Sequence, residues 1–368
     1  MQMVDQLGHV VSSILRQRAF APRYLVKTAL ELMQHASGFL QWLSPIPDSP
    51  EVWAEFQNKI EAFSLFEYVD SEIGVLGCPG LCLQELVLRA SRLGPYRSVW
   101  AMEGIGHYYA ESQRALGQMP VGLLSEQNTS GLPSACLVPL HTGMGLSLAE
   151  TALDSICKQP ADCGRLVDIF RELCNINSRP GYSGAAFEAL GLIARHLYPH
   201  LIPSIDSCLA KNADGLARFW HGMGRGTYFL AANFPPFCSA PWKAFDMCLC
   251  EPPQELGRRN AVAGLAWALT LVNIRHPEIL AVFLKHHGSQ ITGSQAFANG
   301  VCSAMTIWLD ASPGDGYLEA LRTHVPRGLD ASLTRLWNAY IKQPCDQALQ
   351  QKSFAHNKKM DDFFRYQN

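Results

Sequence analysis

The sequence predicts an all-α fold, and three observations carry the prediction. Period-two alternation of apolar and polar residues is nearly absent. Apolar positions recur instead at helical spacing from end to end, bordered by capping residues and prolines. Glycines stand inside these apolar patterns at a regular interval, which points to a multi-helical repeat of about three units of paired long helices.

Residues 1–45 read as amphipathic helices, broken near Phe20-Ala-Pro22 and ended by Ser44-Pro-Ile-Pro47. Ser49-Pro50-Glu51 starts another helix, with the proline where a missing N–H costs nothing. Residues 118–138, rich in Gly, Ser and Pro, read as the one long loop, and Pro139 opens a helix reaching about Cys157. Ser183 is placed to cap a helix that runs to Tyr198 before Pro199, and Asn212 or Asp214 caps one that stops before Phe234-Pro235-Pro236. Pro277 starts a helix with Gly288 at its left-handed C-terminal position, and Asp330 caps a last strong helix toward Lys342. The organisation expected is an N-terminal helical segment (1–90), a three-unit repeat body (91–312) and a C-terminal helix with a polar tail (313–368).

The repeat rests on Gly106, Gly191 and Gly264, followed by Gly145, Gly224 and Gly300. Met102-Glu-Gly-Ile-Gly106 answers Phe187-Glu-Ala-Leu-Gly191, and His141-Thr-Gly-Met-Gly145 answers His221-Gly-Met-Gly224. The third unit, Val262-Ala-Gly-Leu-Ala266 with Phe297-Ala-Asn-Gly300, keeps the small residues and loses the Glu and His. Glycine inside a helix costs about 1 kcal/mol relative to alanine, so matched glycines need a reason. Close helix–helix approach is the mechanical reading; a ligand lying against bare backbone is the functional one.

Composition narrows the function classes. With 48% hydrophobic and 17% charged residues the chain is not a disordered one. The balance of 30 Lys+Arg against 32 Asp+Glu argues against a nucleic-acid partner. The most apolar stretch, Ala261 to Ile274, is interrupted by Thr270 and Asn273 and falls short of the roughly 20 residues of a transmembrane segment. The start of the chain lacks signal-peptide features, and twelve scattered cysteines contain no C-x-x-C pair, so a reduced, cytoplasmic protein is expected.

The clearest constellation is Glu103, His107, His141, Glu188, His221, Arg225 and Tyr228. Glu103 and His107 are one helical turn apart, Glu188 matches Glu103 in the second unit, and His221, Arg225 and Tyr228 share a face. Two carboxylates and their imidazoles converging on one cavity would suit acid–base chemistry, because burial moves such groups toward neutral pKa values. Glu103 and Glu188 are the expected acid and base, tuned by His107, His141 and His221, with Arg225 and Tyr228 orienting a ligand. The alternative is that each buried carboxylate is simply held by an imidazole or guanidinium that fixes helix packing. Trp100, Trp220 and Trp267, beside the repeated glycines, are candidate walls of an apolar cavity or plain core.

No metal and no cofactor are expected. Glu103 and His107 lack the Glu-x-x-His spacing of a di-iron bundle, and Pro199 spoils the shared face of His196 and His200. Gly222-Met-Gly224-Arg-Gly226 lacks the preceding strand of a phosphate-binding loop.

Five segments carry a resemblance: 99–106 (VWAMEGIG), 141–145 (HTGMG), 181–188 (GYSGAAFE), 221–229 (HGMGRGTYF) and 263–268 (AGLAWA). The chain resembles, over roughly residues 95–275, the proteins of unknown function encoded beside polyketide synthases in enediyne biosynthesis clusters. His221 stands where that family usually carries another polar residue. The resemblance implies a secondary-metabolite pathway and a polyene or acyl-like intermediate, and supplies no catalytic residues.

The function expected is a helical-repeat protein that binds a hydrophobic small molecule, with acid–base conversion of it left open. The alternative is a non-catalytic helical scaffold that binds a protein partner. A third reading, attachment to a membrane surface through the N-terminal amphipathic helices, rests on low charge and many aromatics.

Overall fold

The computed structural model describes residues 27, 49–75, 81–115, 121–233, 240–328, 330–352 and 360–366. The helices expected over 1–45 (Lys27 apart), the membrane-surface reading built on them, and the Phe234-Pro235-Pro236 stop lie outside the described residues. Among the described residues the chain is helical, with no strand beyond an isolated bridge between Leu124 and Ser178. No described helix is long and apolar enough to cross a membrane.

The helices are α1 (Ser49–Glu67), α2 (Val69–Glu72), α3 (Leu83–Ser91), α4 (Pro95–Ala115), α5 (Leu137–Lys158), α6 (Cys163–Asn177), α7 (Ser183–Leu197) and α8 (Ile202–Leu209). They continue as α9 (Ala213–Tyr228), α10 (Ala240–Cys250), α11 (Glu255–Val272), α12 (Glu278–Ile291), α13 (Gln295–Ala311), α14 (Tyr317–Thr323), α15 (Ala331–Trp337) and α16 (Gln343–Lys352). Six of them form a row in chain order, α4–α5–α7–α9–α11–α13, each lying along the next. The row curls until its ends meet. Tyr96 of α4 and Trp308 of α13 have ring centroids 6.4 Å apart, Ser312 donates to the Pro95 carbonyl at 3.2 Å, and the Tyr96 hydroxyl donates to the Val272 carbonyl at 2.8 Å.

The interior glycines explain the row. A Cβ on Gly143 would overlap the carbonyl of Glu103, and one on Gly106 the carbonyl of Leu140. The same reciprocal pattern joins Gly191 to Phe219 and Gly222 to Glu188, then Gly224 to Ala261 and Gly264 to His221. Gly145 meets Ala186 and Gly300 meets Ala263 in the same way. At each crossing, then, a glycine of one helix receives a backbone carbonyl of its neighbour, three residues before that neighbour's own small residue. Such approach is open only to residues without side chains, and it adds Cα–H···O contacts to the packing. The mechanical reading of the glycines is therefore the one the structure displays. It has a consequence for chemistry: Glu103, Glu188 and His221 are themselves the residues whose carbonyls seat in the glycine notches, so their side chains start from the most tightly fixed backbone in the fold.

Helix α1 crosses α4 outside the row, with the backbone of Leu65 and Phe66 against Gly104. A second buried network anchors it there. Lys59, fully buried, pairs with Glu55 at 3.0 Å and donates to the Asn233 carbonyl at 3.0 Å. Its ammonium lies 4.0 Å from the centre of the Tyr228 ring. Burial lowers the Lys59 pKa against the opposing pull of Glu55.

Several borders differ from expectation. Asn212 and Asp330 cap their helices as expected, accepting from Gly215 N at 2.9 Å and Leu333 N at 2.7 Å. Helix α5 begins at Leu137, two residues before Pro139. Ser183 makes no side-chain cap; Gly184 N instead donates to Asp361 of the C-terminal segment at 2.5 Å. Gly288 is interior to α12, where a Cβ would collide with Leu336, and Gly293, at φ 86°, takes the left-handed position instead. The last helix does not stop at Lys342. A π-helical turn over Asn338–Lys342 passes the chain into α16. Such a turn fits the missing donor of Pro344 without breaking the path. Residues 360–366 fold back onto the row, with the Phe364 ring 6.3 Å from His221 and 6.2 Å from Trp267.

Candidate functional site

Arg225 of α9 is the hub. It is 1% exposed, and its two terminal nitrogens reach carboxylates from two other helices of the row. Nη1 donates to Glu188 of α7 at 2.5 Å and Nη2 to Glu103 of α4 at 3.1 Å. The guanidinium carbon lies 4.2 Å from the centre of the Trp267 ring, a stacked arrangement that suits a planar cation. His221, one turn before Arg225, places Nδ1 2.6 Å from the second oxygen of Glu188. The expected convergence of Glu103, Glu188, His221 and Arg225 is thus present.

The two carboxylates are not equivalent. Burial raises the Glu103 carboxyl above its usual value, Arg225 pulls it back only in part, and the neighbouring Glu188 charge raises it further. Burial would raise Glu188 too, but Arg225 and His221 together outweigh it and hold that carboxyl below its usual value. Arg225 loses by burial and gains more from the two carboxylates, so its charge is secured. Arg225 lowers both carboxyls; it is His221 on Glu188, and the Glu188 charge beside Glu103, that set the two apart.

Position makes the same distinction. A cleft of about 120 Å³ is walled by Phe63 and Phe66 of α1, Trp100 of α4, Leu146 of α5, Leu192 of α7 and Phe229. Glu103, Arg225, Glu150, Glu67 and His196 give it polar groups. Glu188 lies fully buried behind Arg225 and does not line it. Glu103 faces the cleft; Glu188 positions the arginine. His196 on the cleft wall is pushed down to about 4, by burial first and by Arg195 second, and is neutral at physiological pH.

Of the other expected residues, His107 acts on Glu103 by charge, lowering its pKa by less than Arg225 does, while its ring nitrogens face Glu150 at 3.2 Å and Glu111 at 3.6 Å. Three others lie elsewhere. His141 is wholly buried, with Nδ1 at the Leu137 carbonyl (2.7 Å), Nε2 accepting from Arg179 N (3.0 Å) and its ring stacked on Tyr182. Both nitrogens are committed to backbone, so it ties the 178–182 turn to α5 and does not act at the cleft. Tyr228 accepts from Asn273 at 2.7 Å in the Lys59 network, and burial drives its phenol well above the usual value. Trp220 donates to Asp206 at 2.7 Å, away from the cleft. Of the three tryptophans, Trp100 alone lines the cleft, while Trp267 serves it through Arg225.

Sequence reasoning missed Phe63, Phe66, Glu150, Leu192 and His196. The first two belong to α1, outside the row, where they read only as an apolar helix face; His196 attracted notice only as half of a rejected metal pair. Compared with known proteins, the chain matches no protein-family model, no curated protein and no solved structure.

His141 yields a pH prediction. Its folded pKa is depressed to about 4 by burial, against 6.5 for the free side chain. Between those values the unfolded chain binds a proton that the native state refuses, so stability falls as the pH drops from 6.5 toward 4. The loss due to His141 is about 3 kcal/mol by the time pH 4 is reached. Urea unfolding across this range checks it. The slope is expected to lessen in His141→Gln without vanishing, because His196 contributes in the same sense.

Proposed function

We propose that the curled row of helices is a three-unit repeat built to hold this cleft, and that the cleft binds an apolar small molecule carrying an oxygen acceptor. The observation that carries the reading is a hydrophobic cleft ended by a carboxyl whose pKa is raised and by an arginine already neutralised from behind. A raised carboxyl retains its proton further up the pH scale and can donate it, or a hydrogen bond, to a carbonyl-type oxygen. The Nε–H of Arg225 is buried with no acceptor among the described residues.

The size of the cleft limits the occupant. At about 120 Å³ it is comparable with the ~150 Å³ cavity that admits a benzene ring, so it takes one ring or a short chain segment. A short acyl or polyene end fits that space, in line with the secondary-metabolite role implied by the resemblance. Glu103 is the proposed acid, Arg225 a ligand-orienting group, and Glu188 and His221 positioning residues. Cytosolic residence belongs to the same proposal and is supported by the ten described cysteines, all of them free thiols.

The scaffold reading has less behind it. Among the described residues the exposed large apolar ones, Leu88, Val121, Ile169, Ile176, Val325 and Leu349, are scattered over several elements and form no stripe on the row. The glycine faces are consumed within the row itself.

Titration with 2,4-hexadienamide, a neutral short polyene carbonyl, tests the reading by saturation-transfer NMR. Wild type is expected to bind it, Leu192→Trp to block it by filling the cleft, and Glu103→Met, which removes the donor that Gln would keep, to weaken it about tenfold, the worth of one hydrogen bond. Equal binding by wild type and Leu192→Trp would remove the cleft from consideration.

A further inference from the structure

The face of α4 that carries Glu103 continues outward. His107 and Glu111 follow at four-residue steps, so the three side chains lie along one side of the helix. Glu103 turns to Arg225, whereas His107 and Glu111 meet Glu150 of α5. His107 Nε2 is 3.2 Å from a Glu150 oxygen and Nδ1 is 3.6 Å from a Glu111 oxygen. One donor atom from each of the three residues lies within 4.8 Å of the other two.

We infer that His107, Glu111 and Glu150 form a divalent-cation site on the rim of the cleft. Metal–ligand bonds of roughly 2.0–2.2 Å place neighbouring donor atoms about 3–3.5 Å apart, so the present separations need only side-chain rotation to close. The backbone beneath is fixed, since Gly106 and Gly143 seat the α4–α5 crossing immediately beside His107. The His107 ring is held by Phe66, edge-on with centroids 5.5 Å apart, while the two carboxylates are the more exposed members of the set.

The donor set offers two carboxylates and an imidazole, and Arg114 reaches the other oxygen of Glu111 at 3.8 Å. One nitrogen and two carboxylates suit Mn²⁺, Fe²⁺ or Zn²⁺ better than a thiolate-seeking ion. Three protein ligands leave coordination positions open, as metal sites that handle small molecules do. Glu150 also lines the cleft, so an ion held here stands beside whatever occupies it. The site itself does not depend on what that occupant is.

Mn²⁺ alone, titrated into the full chain and followed by the six-line EPR signal of the free ion, is the test. Wild type is expected to remove one Mn²⁺ per chain from the free signal. Glu150→Gln is expected to weaken binding at least tenfold, a typical loss even for a supporting residue of a metal site. Glu255→Gln, exposed at the start of α11 and paired there with Arg258 and Arg259, is expected to bind within about twofold of wild type, on the reasoning that distant, unshared contacts act independently. Should Glu150→Gln lose its circular dichroism signature, Glu111→Gln, more exposed on α4, replaces it. A free-ion signal undiminished by equimolar protein at roughly millimolar Mn²⁺, far above the range of dedicated sites, would overturn the site. So would equal affinity in wild type and a folded ligand variant, which would place the ion elsewhere.

Discussion

Gly143→Ala is expected to cost about 3 kcal/mol or more, a large share of the ~5–15 kcal/mol that holds a domain folded. The added methyl would overlap the Glu103 carbonyl, with His107 N also too close, and both are backbone atoms that no rotamer change can move. Relief requires parting α4 from α5, which also displaces Glu103 from Arg225. The comparison that isolates this cause is Gly164→Ala. That glycine is exposed in the first turn of α6, with Cys208 Sγ 3.9 Å away as the nearest atom to an added Cβ. There the helix propensity of alanine should dominate and raise stability by up to about 1 kcal/mol. Urea unfolding of both variants checks the pair. Two equal and small changes would mean that the crossing is looser than the glycine geometry requires.

Arg225→Met is expected to be nearly as damaging, at about 3–5 kcal/mol, because it strands a buried carboxylate. Glu188, which Arg225 and His221 together keep ionised, would retain only His221. A second change, Glu188→Gln, should then recover at least about 1 kcal/mol in the Arg225→Met background although it removes a further native group. The pH dependence has a definite sign. Glu188 is depressed in the native protein, so its contribution is complete above the unfolded carboxyl range and is lost as the pH falls through its folded value. The deficit of Arg225→Met should therefore be greatest near neutrality and shrink on acidification, where Glu188 can take a proton. Chemical unfolding at several pH values reads both effects, and a deficit that grows toward acid would contradict the assignment of charge.

Much of this arrangement was legible in the sequence because helical periodicity and glycine spacing report directly on which faces meet. Glu103, Glu188, His221 and Arg225 could be proposed together since matched glycines implied matched crossings. His141 was drawn in by the same symmetry, yet the repeat says only where a side chain starts. It does not say that the 178–182 turn supplies a backbone N–H to that ring. Tyr228 was misplaced for a related reason: its partner, Lys59, comes from α1, which lies outside the row. The cleft was invisible because its aromatic wall, Phe63 and Phe66, also comes from α1. Gly288 and Lys342 show the limit of local signals at helix ends, where tertiary contact with Leu336 and a π-helical turn decided the outcome.

The central claim is that the cleft between α1, α4, α7 and α9 holds an apolar small molecule beside Glu103. Native mass spectrometry of the gently purified chain from its own host, set against the denatured mass, tests it most directly. A non-covalent excess mass of small-molecule size, present in wild type and missing from Leu192→Trp, is the predicted result. Identical native and denatured masses, or an excess that Leu192→Trp retains, would contradict it.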